Sequence, residues 1–216
     1  MNWDVIQKDI YTCRICERQR ASHIRVPQGS KRHPPYTPFQ PTKLYFVSVA
    51  PPWGGGYFWD TTVSDALREG LFRALFCATG QKFTSPQTFR DAGFFLTPSV
   101  KCPSEHDGKD HAPATAAIKK CSAHLRKELE FARAERVLAL GRVPFRGVAE
   151  ALEIRALPAT LCQARVAPRY ALLNNLRIPF AVTYFPGNNR HRGFKKIVED
   201  IRTILEMQPL PCEGGP

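Results

Sequence analysis

No stretch of this chain approaches the roughly 18 consecutive apolar residues that a membrane-crossing helix needs. The opening residues, MNWDVIQKD, have no basic segment followed by an apolar core. That pattern predicts no secretory leader and a cytoplasmic location. Acidic side chains are scarce: 19 Asp and Glu stand against 31 Lys and Arg, giving a formal charge of +12. Such a balance favours a polyanionic partner, because each phosphate met by Lys or Arg releases condensed counterions. No strongly amphipathic basic helix stands out, which weakens an anionic lipid surface as that partner. The seven cysteines cannot all pair, and with no leader a disulfide framework is not expected. No internal repeat and no second core are evident, so residues 1–216 are expected to form one domain.

What is present is a chain in which strand and helix signals alternate. Residues 2–11 carry Trp3, Ile6 and Ile10 at helical spacing. Residues 17–41, including KRHPPYTPFQP, read as an irregular surface segment. LYFVSVA (44–50) is a buried-strand candidate. It leads into a loop with three glycines and the aromatics Trp53, Tyr57, Phe58 and Trp59. A helix is expected over 62–79, with Leu67, Leu71, Phe72, Leu75 and Phe76 inward, Cys77 as a small core residue and Gly80 as its C-terminal cap. Ser85-Pro86 has the chemistry of a helix start. Phe94-Phe95-Leu96 begins a second strand that ends at Thr97-Pro98-Ser99. A helix over 114–133, the strand RVLAL (136–140), a helix to 152, a strand over 178–184 and a helix over 193–205 follow. Residues 155–177 read as irregular, and 207–216 as a frayed tail. The alternation predicts an α/β fold, a three-layer αβα sandwich around a mostly parallel four-stranded sheet. Ligands then belong beyond the carboxyl ends of the strands, where the loops 50–60, 97–102, 141–142 and 185–192 meet.

The cysteines at 13 and 16 have the C-x-x-C spacing with which two thiolates grip one metal centre, and two distant cysteines can complete the set. Four thiolates serve structural zinc and a [4Fe–4S] cluster equally well, so the spacing leaves both open.

The order of motifs narrows the choice. C-x-x-C, then T-x-x-V-K-C at a strand end, then a cysteine opening the next helix, resembles the bacterial and archaeal iron–sulfur uracil-DNA glycosylases, families four and five. VSVAPP (47–52) is similar to their first-strand motif GEAPG or GLAPA. LTPSVKC (96–102) is similar to ITNVVKC, LALGRVPF (138–145) to LGRxAF, and TYFPGNNRHRGF (183–194) to the HPS loop. The resemblance covers about residues 3–205. It implies an αβα glycosylase with a structural [4Fe–4S] cluster on Cys13, Cys16, Cys102 and Cys121, zinc being the alternative. It also implies DNA as partner, a monomer, and hydrolysis of the N-glycosidic bond of a flipped-out base, most simply uracil.

Several positions depart from that family. The asparagine that reads the uracil edge is Pro98, the histidine of the HPS loop is Phe185, and the acidic position of GEAPG is Val49. Base contacts are therefore expected from Ala50, Pro51, Trp53, Tyr57, Phe58, Thr97, Ser99, Phe185, Asn188 and Asn189. Tyr57 or Phe58 is the expected stacking ring, against the plainer reading that these aromatics fill the core. Asp60 is the expected catalytic carboxylate, orienting a water or stabilising an oxocarbenium-like sugar, with helix capping as its plainer role and Asp65 as its competitor. Arg142, Arg190, His191, Arg192 and Lys195 are the expected DNA contacts, against a merely solvated run of charge. A homologue that binds lesions without cleaving, and a glycosylase for hypoxanthine or xanthine, are the alternative functions.

Overall fold

A computed structural model of the chain describes residues 2–18, 34–52, 57–103, 111–165, 168–188 and 193–212. The elements run α1 (Trp3–Thr12), α2 (Ile15–Arg18), β1 (Leu44–Ser48), α3 (Ala66–Thr79), α4 (Pro86–Asp91) and β2 (Phe94–Pro98). After them come α5 (Thr115–Ala132), β3 (Val137–Leu140), α6 (Arg142–Ala151), α7 (Leu161–Arg165), β4 (Arg169–Leu173), β5 (Leu176–Thr183), the 3-10 turn Pro186–Asn188, α8 (Phe194–Glu206) and β6 (Leu210–Pro211). The sheet order is β2-β1-β3-β5-β4, with β6 also paired to β5. β2, β1, β3 and β5 are mutually parallel. These are the four strands legible in the sequence. Every residue of β1, β2 and β3 is buried, as expected of parallel strands covered on both faces. α5 packs with α1 and α6, and α3 packs with α8. No helix among the described residues is long and apolar enough to cross a membrane.

Two strands lie where the sequence reading placed none. β4 and β5 form an antiparallel hairpin in which Leu173 faces Leu176. The two residues between them, Asn174 and Asn175, have φ of 50° and 63°. Positive φ at both central positions is the demand of the tight hairpin turn whose twist matches the strands. Among the described residues the sheet therefore has six strands, and the segment 155–177 also contains α7. Leu210 and Pro211 pair with Arg177 and Leu176, so the tail is held at that point.

α3 starts at Ala66, not at residue 62. Asp65 caps it, accepting from the Arg68 N–H at 2.6 Å. The Arg68 guanidinium turns back and donates to the carbonyls of Phe58 (3.1 Å), Asp60 (2.8 Å) and Val63 (2.5 Å). One arginine thus holds the preceding residues as a loop. The buried face of α3 is Leu71, Ala74 and Leu75. Phe76 and Cys77 are exposed, which corrects the expected inward stripe and the core role of Cys77.

β2 is an edge strand, and Trp59 covers it. Its indole N–H donates to the Leu96 carbonyl at 3.0 Å, and its ring lies 4.9 Å from Phe95. A buried polar cluster occupies the other end of that strand. Glu128 on α5 accepts from Lys101 Nζ, from the Thr97 hydroxyl (3.0 Å) and from Gln7 Nε2 on α1 (3.4 Å). Lys101 also donates to the Pro98 carbonyl at 2.5 Å, and Tyr45 OH lies 3.1 Å from Thr97 Oγ1. The side chains of Lys101 and Glu128 are 5% and 1% exposed. Removing one partner of such a pair leaves the other charge buried and uncompensated. Glu128→Gln should cost about 3–5 kcal/mol in urea unfolding. Replacing the pair together, Lys101→Met with Glu128→Leu, should cost markedly less. A single substitution no worse than the double would remove the pair as a constraint on the fold.

Candidate active site at the sheet rim

The parallel strands deliver their carboxyl ends to one rim, and a cavity of about 470 Å³ opens there. Its floor is Ser48, the last residue of β1, with Val49 to Pro52 after it. Asp65, Ala66 and Leu67 at the start of α3 form one wall, Val143 of α6 and Phe185 after β5 form others, and His111 and Ala112 close it. The rim location is the one the topology predicts. Three of these side chains are polar: the Ser48 hydroxyl, the Asp65 carboxylate and the His111 imidazole.

Close backbone approach sets the geometry of the Phe185 wall. The 3-10 turn Pro186–Asn188 packs on α3. A Cβ on Gly70 of α3 would sit 2.5 Å from the Pro186 carbonyl oxygen. A Cβ on Gly187 would sit 2.7 Å from the Phe185 ring and 3.3 Å from the Leu67 nitrogen. Only glycine fits at both places, so the two glycines let the Phe185 loop settle against the helix that carries Asp65.

The positions expected from sequence separate clearly. Ala50, Pro51 and Phe185 line the cavity, and so does Asp65. Asp60 is not among the lining residues. Its Oδ1 accepts from the Thr62 N–H (3.0 Å) and the Thr62 hydroxyl (2.6 Å) in the loop before α3. Phe58 is fully buried, in edge-to-face contact with Trp59, Phe72 and Phe89. It fills the core, which corrects its expected role as a stacking ring. Tyr57 is likewise buried and does not line the cavity. Burial, then the Glu128 and Asp65 charges, pushes its phenol pKa up. Its hydroxyl has no hydrogen-bond partner among the described residues. Thr97 and Ser99 are buried and committed internally. The Thr97 hydroxyl serves Glu128, and the Ser99 hydroxyl donates to the Val49 carbonyl at 2.8 Å. Asn188 closes the 3-10 turn, and its side chain, with Trp53, Asn189, Arg190, His191 and Arg192, lies outside the described residues. Lys195 is exposed on the first turn of α8.

Ser48, Leu67, His111 and Val143 were not expected at the site from sequence. His111 had a weak signal, since it closes the Lys-, Asp- and His-rich loop before α5. A second opening of about 210 Å³ lies beside the rim. Arg142 and Arg146, one turn apart on α6, line it with Phe145, Thr160 and Leu161. Arg142 thus faces this groove and not the main cavity, and Arg146 is a second cation that sequence did not mark.

Cys13, Cys16, Cys102 and Cys121 come together around one small enclosed cavity, with Ile10, Arg14, Lys101 and His124. All four are free of disulfides. Cys16, Cys102 and Cys121 form a separate buried cluster with Val100, Ala117 and Ile118. Ala50 and Val143 pack against that cluster and also line the rim cavity, so the two sites share a wall. Burial pushes the Cys121 thiol pKa up, while a backbone hydrogen bond and the charge from Lys101 oppose it. Among the described residues, no three His, Cys, Asp or Glu side chains meet closely enough to hold a single metal ion.

No curated protein matches the chain. A family model described as the uracil DNA glycosylase superfamily matches residues 34–202, a span that includes the whole rim cavity, Cys102 and Cys121 but not Cys13 or Cys16. Members of that superfamily are in general DNA N-glycosylases. The parallel sheet, the cavity at its carboxyl rim and this match over most of the length place the chain in the uracil DNA glycosylase superfamily.

Proposed function

We propose that the protein hydrolyses the N-glycosidic bond of a deaminated base, uracil foremost, after the base has been flipped out of DNA into the rim cavity. The observation that carries this reading is the cavity itself: a carboxylate, an imidazole and an aromatic wall face one space of base-accommodating size at the strand ends. Flipping costs a few kcal/mol of unstacking, and the pocket must return that in contacts. Phe185 supplies a ring face, replacing the stackers expected at 57 and 58. Pro51 and Pro52 have no N–H, so Ala50 is the nearer backbone donor to a base carbonyl.

The acid–base role moves from Asp60 to Asp65. Capping α3 occupies one acceptor position of Asp65, and a carboxylate has capacity left for a water on the cavity side. As the bond from C1′ to the base nitrogen breaks, its electron pair leaves with the base. Water adds to C1′ and its proton passes through the Asp65 carboxylate, the departing base regaining a proton from the medium. Arg142, Arg146 and Lys195 are suited to phosphate, and the excess positive charge supports a DNA partner.

For the cysteine site we propose a [4Fe–4S] cluster on Cys13, Cys16, Cys102 and Cys121. The four cysteines line one small cavity, and four thiolates are the usual ligand set of such a cluster, as they are of structural zinc. The order of the cysteine motifs along the chain supports the cluster over zinc. When bound it would act as a structural tie among the N-terminal segment, the end of β2 and α5.

Lesion binding without excision is the second reading. It is favoured by the internal commitment of Thr97 and Ser99, which leaves few side chains to read a base edge.

Two measurements test these proposals. Single-turnover excision on oligonucleotides carrying uracil, hypoxanthine or xanthine should release uracil fastest, and Asp65→Asn should slow it by about 100-fold or more. Asparagine caps a helix as well as aspartate, so thermal stability should hold. An unchanged rate would remove the Asp65 carboxylate, and binding without release of any base would establish the second reading. Protein purified without reconstitution should contain about four irons per chain, lost in Cys102→Ser. Stoichiometric zinc without iron would contradict the cluster.

A further inference from the structure

Several arginines of this protein are spent inside it. Arg68 serves the carbonyls of the loop before α3, Arg126 pairs with Glu130 and Glu153, and Arg136 holds the Met207 and Lys43 carbonyls. Arg142 and Arg146 are different. Both are exposed on α6, and neither guanidinium has a hydrogen-bond or ion-pair partner among the described residues. They line one groove of about 210 Å³ together with the Thr160 hydroxyl. That hydroxyl accepts from the Gln163 N–H at 3.3 Å, which leaves its own proton to donate. The polar side chains of the groove are thus donors, and its other walls are carbon, chiefly Leu157, Pro158 and Leu161. The rim cavity beside it carries the opposite sign, the Asp65 carboxylate.

The two openings meet at the first turn of α6, where Arg142 lines the groove and the next residue, Val143, lines the rim cavity. The far wall of the groove is tied down. Arg165 at the end of α7 pairs with Asp200 of α8 at 2.7 and 2.8 Å. Its guanidinium lies 4.8 Å from the ring of Tyr184, the neighbour of Phe185. Arg169 donates to the Ala156 carbonyl on the other flank. A groove shaped before binding spares its ligand the cost of ordering it. Guanidinium forks without partners select phosphate. Phosphate alone leaves the apolar wall unused, and that wall suits the face of a sugar and base.

We propose that this groove is a second nucleotide subsite, which takes the nucleotide adjacent to the flipped base in the same strand. Its phosphate meets Arg142 and Arg146, and its sugar and base lie against Leu157, Pro158 and Leu161. The subsite rests on the reading of the rim cavity as the seat of the flipped base, and it adds the form of DNA that the protein prefers. In a paired duplex the neighbouring base is stacked, and drawing it out costs a second unpairing. A single strand presents both nucleotides without that cost.

The test is binding, read by fluorescence anisotropy on single-stranded oligonucleotides whose uracil sits on a 2′-fluorinated arabinose that resists cleavage. A base-free tetrahydrofuran residue replaces the nucleotide on the 5′ or the 3′ side of the uracil. The parent should bind about tenfold more weakly with the base missing on one side, and equally well with it missing on the other. Leu161→Ala should weaken binding to the intact strand severalfold. On the strand lacking the sensitive base it should have no further effect, because two changes to one contact do not add; that retained binding also shows the variant to be folded. Arg146→Ala should weaken all strands alike and lower the slope of log K against log salt by about 0.7. In duplexes with uracil opposite guanine, mispairing the sensitive neighbour should tighten parent binding severalfold. Equal binding of the parent to all three single strands, or a Leu161→Ala loss of the same size on each, would overturn the subsite. Uracil release from an ordinary single strand by the same preparation would then show the glycosylase reading still standing. A parent that neither releases uracil nor binds these strands would remove both.

Discussion

The buried pair of Lys101 and Glu128 is the contact on which the arrangement of this protein turns. Two nearly fully enclosed charges are tolerable only with each other and with the further donors and acceptors around them. Glu128 collects those donors from α1, from the end of β2 and from residue 101, one position before Cys102. Glu128 is on the same helix as Cys121, two turns further along. The segments that carry three of the four cysteines are therefore registered against a single carboxylate. Burial and the same carboxylate also push the Tyr45 phenol pKa well up.

From that registration the rim follows. The loop after β2 bonds back to β1: Ser99 N–H donates to the Ser48 carbonyl at 2.8 Å and Val100 N–H to the Val49 carbonyl at 3.1 Å. Those bonds fix the floor of the cavity while spending the polar groups of the loop on structure. Ala50 and Val143 then separate the cysteine site from the cavity by a single layer. A metal centre there would stiffen the floor without touching a substrate. On the opposite side, Arg68 and Asp65 work as a pair, one holding the loop 58–63 and the other both capping α3 and facing the cavity.

Much of the fold was legible because parallel strands advertise themselves. LYFVS, FFL and VLAL are uninterrupted apolar runs, and each became a fully buried strand. Ser85-Pro86 and Gly80 marked helix ends by local chemistry alone and were found there. The β4–β5 hairpin was missed although Asn174-Asn175 carried its turn signal, because exposed Arg and Leu around it blurred the alternation. The site was harder. Sequence placed Ala50, Pro51 and Phe185 at the rim but could not say which other side chains the fold would consume. Phe58 and Trp59 went to the core, Thr97 and Ser99 to internal hydrogen bonds, and Asp60 to its own loop. Phe185, the departure from the family pattern, proved to be the aromatic wall of the cavity. His111 came into view only when tertiary packing brought its segment over the strand ends.

We propose that the rim cavity receives a base rotated out of the duplex. The most direct measurement is a crystal structure of the protein on DNA carrying uracil on a 2′-fluorinated arabinose, a sugar that resists bond cleavage by destabilising the cationic transition state. The uracil ring should lie against Phe185, with Asp65 facing the sugar carbon and phosphates near Arg142 and Arg146. A uracil still stacked in the duplex, or one seated in the Arg142–Arg146 groove with the rim cavity vacant, would contradict it.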